Sequence, residues 1–122
     1  MNMDEAVLKE LGLTDKEIKV YLACLSLGTA LVQIIAKKAG TYRTYTYEIL
    51  ESLTKRGLVT HVIRSGKHFF TATEPSKLLS IIKEKEAKIN ELLPELKKLY
   101  RSATEKQEVT FYSGKEGLKT IL

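Results

Sequence analysis

Residues 32–66, VQIIAKKAGTYRTYTYEILESLTKRGLVTHVIRSG, decide how the rest of this chain is read. Three local signals follow one another there. Val32, Ile35, Ala36 and Ala39 recur at helical spacing, and Gly40 stands where such a helix would be capped and turned. A second helix is expected from about Arg43 to Arg56, because Thr46, Leu50 and Leu53 share one narrow sector with Ile49 at its flank. After Gly57 comes a β-rich run, Leu58-Val59-Thr60-His61-Val62-Ile63. The Ser65-Gly66 pair suits a tight hairpin turn, and His68-Phe69-Phe70-Thr71-Ala72 returns from it. Two helices joined by a short glycine-containing turn, with a hairpin after them, read as a winged helix-turn-helix. That arrangement frees its second helix to enter a DNA groove.

The sector of the second helix opposite the apolar one holds Thr44, Glu48, Glu51 and Lys55, with Tyr45 and Ser52 beside it. Tyr42 and Tyr45 are expected to face outward, whereas Tyr47 is expected to pack inward. Arg43, at the helix start, is placed to take a phosphate or a guanine edge. Arg64 and Lys67 bracket the hairpin tip, where a wing touches backbone phosphates or the minor groove. The candidate DNA contacts are therefore Lys37, Lys38, Tyr42, Arg43, Thr44, Tyr45, Glu48, Ser52, Lys55, Arg64 and Lys67.

Charge points the same way. The chain has 122 residues and a formal charge of +5. Residues 1–28 carry three lysines against five acids, and residues 71–122 carry ten bases against eight acids. Residues 29–70 carry seven bases against Glu48 and Glu51, an excess equal to the whole net charge. A basic cluster on a fold that docks in a groove is the footprint of phosphate contact, although a solvated basic face would have the same composition.

Outward from this core, Thr14-Asp15-Lys16-Glu17 announces a helix: Thr14 can cap it and Glu17 can reach back. Ile18, Tyr21, Leu22 and Leu25 make its apolar stripe, and Gly28 ends it. A shorter segment, Glu5 to Leu11, is expected to tuck Val7, Leu8 and Leu11 beneath that stripe. The lone cysteine, Cys24, lies among apolar neighbours and reads as a small core residue rather than a redox sensor. With no basic-then-apolar leader and no apolar run of membrane length, the expected place is the cytoplasm, associated with the nucleoid.

Pro75 opens a long helical pattern that runs to about Arg101. Leu78, Ile82, Lys85, Ile89, Leu92, Leu96 and Leu99 step alternately by four and three, and Lys and Glu crowd around them. That is a narrow coiled-coil seam, so Leu78, Ile82, Ile89, Leu92, Leu96 and Leu99 are the candidate dimerisation residues. The alternative is a helix packing on its own domain, through Leu79 and Leu93 as well. Pro94 predicts a bend near Asn90–Pro94. Beyond it, Glu108–Tyr112 is strand-like, Ser113-Gly114 turns, and Lys115 to Leu122 begins an amphipathic helix, which reads as the opening of a further domain.

Enzyme classes find little here. The sequence has no Gly-rich phosphate loop, no Ser/His/Asp or Cys/His set and no metal-ligand spacing. His61 and His68, the only histidines, lie on the hairpin without carboxylates or cysteines at ligand spacing. No catalytic residue, cofactor or metal is expected.

Several stretches together resemble the archaeal TrmB-type transcription regulators. They are Leu11-Gly-Leu-Thr-Asp-Lys-Glu-Ile-Lys-Val-Tyr-Leu-Ala, Ile35-Ala-Lys-Lys-Ala-Gly40, Arg43-Thr44, Tyr47-Glu-Ile-Leu-Glu-Ser-Leu53 and Lys55-Arg-Gly-Leu-Val59. The likeness continues through Glu91-Leu-Leu-Pro-Glu-Leu96 and Phe111-Tyr-Ser-Gly-Lys-Glu-Gly-Leu118. The resemblance implies a winged-helix homodimer on operator DNA, in a family that often governs sugar transport or metabolism. The family usually carries an aliphatic residue and a proline before the Arg-Thr pair, where this chain has Thr41-Tyr42, and Leu31 and Ile34 stand where polar residues are common.

The expected architecture is mostly α with a small β-wing. Residues 1–74 form a winged helix-turn-helix, 75–104 a coiled-coil dimerisation helix, and 105–122 the start of an effector-type domain. The expected function is sequence-specific binding of double-stranded DNA by a homodimeric transcriptional regulator. A winged-helix protein-interaction module and a low-specificity chromatin-type coating protein are the competing readings. A membrane partner is not expected, nor is a small-molecule effector, because no residues that could build a sugar pocket follow.

Overall fold

The computed structural model describes residues 4–116. In chain order they form α1 (Ala6–Glu10), α2 (Asp15–Leu27), β1 (Ala30–Leu31), α3 (Val32–Ala39), α4 (Arg43–Lys55), β2 (Val59–Arg64), β3 (Lys67–Ala72) and α5 (Lys77–Glu116). The chain divides into two compact units after Ile82.

Local chemistry sets the boundaries of the first unit. The Thr14 hydroxyl accepts the Glu17 N–H at 3.1 Å, and the Glu17 carboxylate accepts the Thr14 N–H at 2.9 Å, so α2 starts on a reciprocal cap. Gly40 caps α3 at φ 75° and ψ 34°, a left-handed conformation in which a side chain would be strained. At the hairpin tip Ser65 and Gly66 both have positive φ, 51° and 73°. A two-residue turn of that kind matches the twist of the strands it joins and pairs Arg64 with Lys67.

β3 is the central strand of an antiparallel sheet ordered β1-β3-β2. The helices close over it. Ile18, Val20, Tyr21 and Cys24 of α2, Val32 and Ile35 of α3, Ile49, Leu50 and Leu53 of α4 and Phe70 of β3 are all buried in one cluster. The Cys24 thiol sits wholly inside, and burial pushes its pKa up to about 12. It is therefore a thiol and not a thiolate at any ordinary pH, as a core residue should be.

The structure changes several expectations. β1 is only two residues long, Ala30 facing Phe70 and Leu31 facing Phe69, too short to leave a periodic trace in the sequence. Val7 is exposed rather than tucked under α2, because α1 is a single five-residue stretch that buries only Leu8 in part; Leu11 behind it does the rest. Leu25 is also exposed, and the buried face of α2 turns instead through Val20, Ala23 and Cys24. Leu78 is not free on a seam. With Ile81 it packs against the core of the first unit, which therefore extends beyond residue 74.

In the second unit α5 continues through Pro94 without a break and runs on to Glu116. The strand expected at Glu108–Tyr112 is helical. Its Val, Thr, Phe and Tyr favour strands, but no Gly or Pro interrupts the chain between Glu95 and Ser113. Propagating an existing helix costs far less than starting a new element, so the helix carries through. The helix expected from Lys115 to Leu122 lies outside the described residues except at its first two positions.

Candidate nucleic-acid interface

The geometry of α4 follows from how the turn before it is tied. Thr46, fully buried one turn inside the helix, donates its hydroxyl to the Tyr42 carbonyl at 2.7 Å and accepts from the Thr41 hydroxyl. The N-cap residue is Tyr42, whose side chain cannot cap, and the Thr41–Thr46 pair fixes the entry in its place. Thr46, Ile49, Leu50 and Leu53 then anchor one face to the core. What remains outward is Tyr42 (86% exposed), Arg43, Thr44, Glu48, Glu51 and Lys55.

Two of the outward candidates are engaged within the fold. Ser52 is half-buried and donates to Glu17 at 2.7 Å. Tyr45 stays exposed, but the Lys16 ammonium rests 4.4 Å from its ring centre. Glu17 is the hub of this seam between α2 and α4. Its buried carboxylate also faces Arg56 at 3.8 Å, and Arg56 donates to the Gly12 carbonyl at 3.1 Å. Burial alone would raise the Glu17 pKa; the Ser52 hydroxyl, the Thr14 backbone and side chain and the Arg56 charge outweigh it and hold the carboxyl below its ordinary value.

The basic candidates occupy three places. Lys37 and Lys38 are exposed in the last turn of α3. Arg64 and Lys67 are exposed where β2 and β3 meet the wing tip. Arg43 and Lys67 converge on one cleft of about 270 Å³ between the start of α4, the start of α3 and the wing, with Gln33, Tyr47 and His68 in its walls. Lys55 is not part of this grouping, since it stands 12 residues along α4 from Arg43, about 18 Å at the rise of a helix.

Tyr47, His61 and His68 gather at this corner. Tyr47 packs partly against the core, as expected, and its hydroxyl also lies 3.0 Å from Nδ1 of His68. The same Nδ1 lies 2.7 Å from Nε2 of His61. The His61 ring stacks on Phe70 at 4.4 Å between centres with the planes 3° apart. The signal for this pairing was in the turn. A two-residue loop at Ser65-Gly66 sets His61 opposite Phe70 and His68 opposite Ile63, which puts both histidines on one face of the hairpin. Among the described residues there is no group of three or more His, Cys, Asp or Glu that could hold a metal ion, and no helix long and apolar enough to cross a membrane.

Comparison with known proteins places this architecture. Residues 8–76 match the family model described as the sugar-specific transcriptional regulator TrmB. The chain is 29% identical over 85 residues to the HTH-type sugar sensing transcriptional regulator TrmBL1 of Pyrococcus furiosus, covering 67% of this chain and 25% of that protein. It is 45% identical over 51 residues to the uncharacterized protein YrhO of Bacillus subtilis, covering 42% of this chain and 18% of that one. The chain thus matches a quarter or less of the length of either curated relative, and the pair extends the likeness beyond archaea. The solved structure of TrmBL2, described as an archaeal chromatin protein with a novel mode of DNA binding, superposes with a TM-score of 0.73. It covers 89% of this chain and 43% of that one at 20% identity, a likeness of fold. With a winged helix in place and more than half of its length matched by the family model, the chain belongs to the TrmB family of transcriptional regulators.

Proposed function

We propose that this chain binds double-stranded DNA sequence-specifically and regulates transcription as a homodimer. The observation that carries the DNA reading is the convergence of Arg43 and Lys67 on one cleft beside the exposed face of α4. Arg43, Tyr42 and Thr44 stand at the end of the helix that meets base edges, while Arg64, Lys67, Lys37 and Lys38 supply phosphate contacts around it. Sites selected from random duplexes should share a motif, and affinity for them should fall steeply with salt. Absence of binding at low salt would leave the protein-interaction reading, for which the half-exposed Ile34 offers an apolar foothold.

The homodimer rests on α5. Ile82, Ile89, Leu92, Leu96 and Leu99 remain 42–69% exposed, an apolar row at coiled-coil spacing with no cover among the described residues. Light scattering should give a dimer, and replacing Ile89 and Leu96 together by lysine should give monomers with at least tenfold weaker affinity for a duplex holding two half-sites. Half-sites about one helical turn apart, or a multiple of it, are expected. A chromatin-type coating role is the second reading, favoured by the fold likeness to TrmBL2. Equal affinity for random and selected duplexes would establish it over the first.

A further inference from the structure

We infer that Glu48 is a specificity-determining residue of α4, its carboxylate accepting the exocyclic amino group of a cytosine and so fixing a C·G pair in each half-site. The inference rests on the DNA-binding reading and names the base that this face selects.

The residues around Glu48 leave it without a partner. On a helix surface the neighbours of a side chain stand three and four residues away. For Glu48 these are Thr44, Tyr45, Glu51 and Ser52, none of them a cation. Ser52, the hydroxyl four residues on, donates to Glu17 instead. Glu48 also lines an open cleft of about 600 Å³ between the start of α2 and α4, and the other charges there are engaged. Arg56 is held by Glu17 and the Gly12 carbonyl, Asp15 is paired with Lys9, and the Lys16 ammonium rests on the Tyr45 ring. Among the described residues the ion pairs are Lys9–Asp15 and Glu17–Arg56, and Glu48 belongs to neither.

Its place on α4 makes that charge costly for a plain phosphate binder. Thr46 is fully buried, and two residues on, at about 100° per residue, Glu48 stands exposed on the far side of the helix. It lies in the first half of α4, the part of such a helix that meets base edges. Glu51 is nearer the far end and has Lys55 four residues on, the favourable order for an acid and a base on one helix. A carboxylate brought up to a polyanion repels it, so Glu48 lowers affinity for duplexes in general. That repulsion is offset only where the groove offers a hydrogen-bond donor.

Base chemistry then makes the selection. An ionised carboxylate accepts hydrogen bonds and cannot donate them. In the major groove guanine presents acceptors alone, and thymine an acceptor and a methyl group. The amino group of adenine stands beside the N7 acceptor, whose lone pair opposes a carboxylate oxygen. Cytosine presents its amino donor with no acceptor next to it on the same base. An unpaired charge that penalises the other three bases is specificity by repulsion as much as by attraction.

Selection of bound sites from random duplexes, run in parallel with the parent, Glu48→Ala and Glu48→Gln, tests the assignment. The parent should require a C·G pair at one position of each half-site, with replacement there costing about 5- to 150-fold in affinity. Glu48→Ala should lose preference at that position alone. Glu48→Gln should move it to A·T, since a carboxamide pairs with both N6 and N7 of adenine. Both variants should bind unrelated duplexes at least about twofold more tightly at low salt, a gain that shrinks as salt rises. Thermal melting checks that both keep the fold. Relaxation at no position, or at one that is not C·G, overturns the assignment while the parent's motif keeps the DNA reading. A uniform gain on every sequence in both variants overturns it as well and leaves Glu48 a repulsive charge only. A parent that binds all duplexes alike, or none, overturns the sequence-specific reading together with the assignment.

Discussion

The two compact units treat their leucines and isoleucines in opposite ways. Up to Ile82, apolar side chains are spent inward: Leu50, Leu53, Leu58 and Ile35 have no exposed surface, and polar groups as internal as Glu17 and Thr46 are satisfied by hydrogen bonds. From Lys83 onward, Ile89, Leu92, Leu96 and Leu99 lie open along a single helix. The first pattern specifies a fold by itself, because the apolar groups of its core have partners in the same unit. The second has helical propensity but no partner among the described residues, and a helix in water draws most of its stability from the packing of such a face. The contrast separates residues that make the winged helix from residues that ask for another surface.

Removing a leucine from each unit should expose that difference most sharply. Leu50→Ala should destabilise the winged helix by about 2–5 kcal/mol, the loss of buried methyl groups plus the cavity they leave, measured by urea unfolding. Glu17→Gln comes next, at about 1.5–3 kcal/mol, since Ser52, Thr14 and Arg56 all lose a charged acceptor. Its pH signature has a definite sign. A carboxyl held low in the folded state contributes stability that is fully present above its unfolded pKa, about 4.3, and fades as pH falls through the lowered folded value. Parent and variant should therefore converge in acid and diverge above about pH 5; a constant gap would show that Glu17 acts by packing alone.

Smaller effects are expected at the surface. Arg43→Ala should weaken duplex binding by about 1–3 kcal/mol and relax sequence preference, while Lys67→Ala should weaken all sequences alike and lower the salt slope by about one. Identical behaviour of the two would mean that Arg43 meets phosphate only. Smallest of all, Leu96→Ala should change unfolding of the isolated monomer by no more than about 0.5 kcal/mol, because the side chain has little burial to lose. A cost as large as that of Leu50→Ala would erase the contrast between the units.

Where the sequence spoke through period and punctuation, it was legible. The Thr14 cap, the Gly40 turn, the two-residue hairpin loop and the buried stripe of α4 stand as expected, since each is a local rule with one physical solution. What stayed hidden depended on partners distant in sequence. Ser52 looked outward because its angle on α4 is marginal, and only the buried carboxylate of Glu17, 35 residues away, draws it in. Leu78 fits the seam and the core equally by spacing, and proximity to the domain decides for the core. The pairing of His61 with His68 needed the strand register, which alone sets both rings on one face of the hairpin.

Cys24 has a practical corollary. A thiol sealed in the core and pushed to about 12 is silent toward maleimides and other alkylating dyes while the protein is folded. A Ser65→Cys substitution, near in size and placed at the exposed wing tip, would then be the one reactive sulfur among the described residues. A fluorophore attached there would report the wing's arrival at a duplex in real time, with no need to remove the native cysteine and disturb the interior that surrounds it.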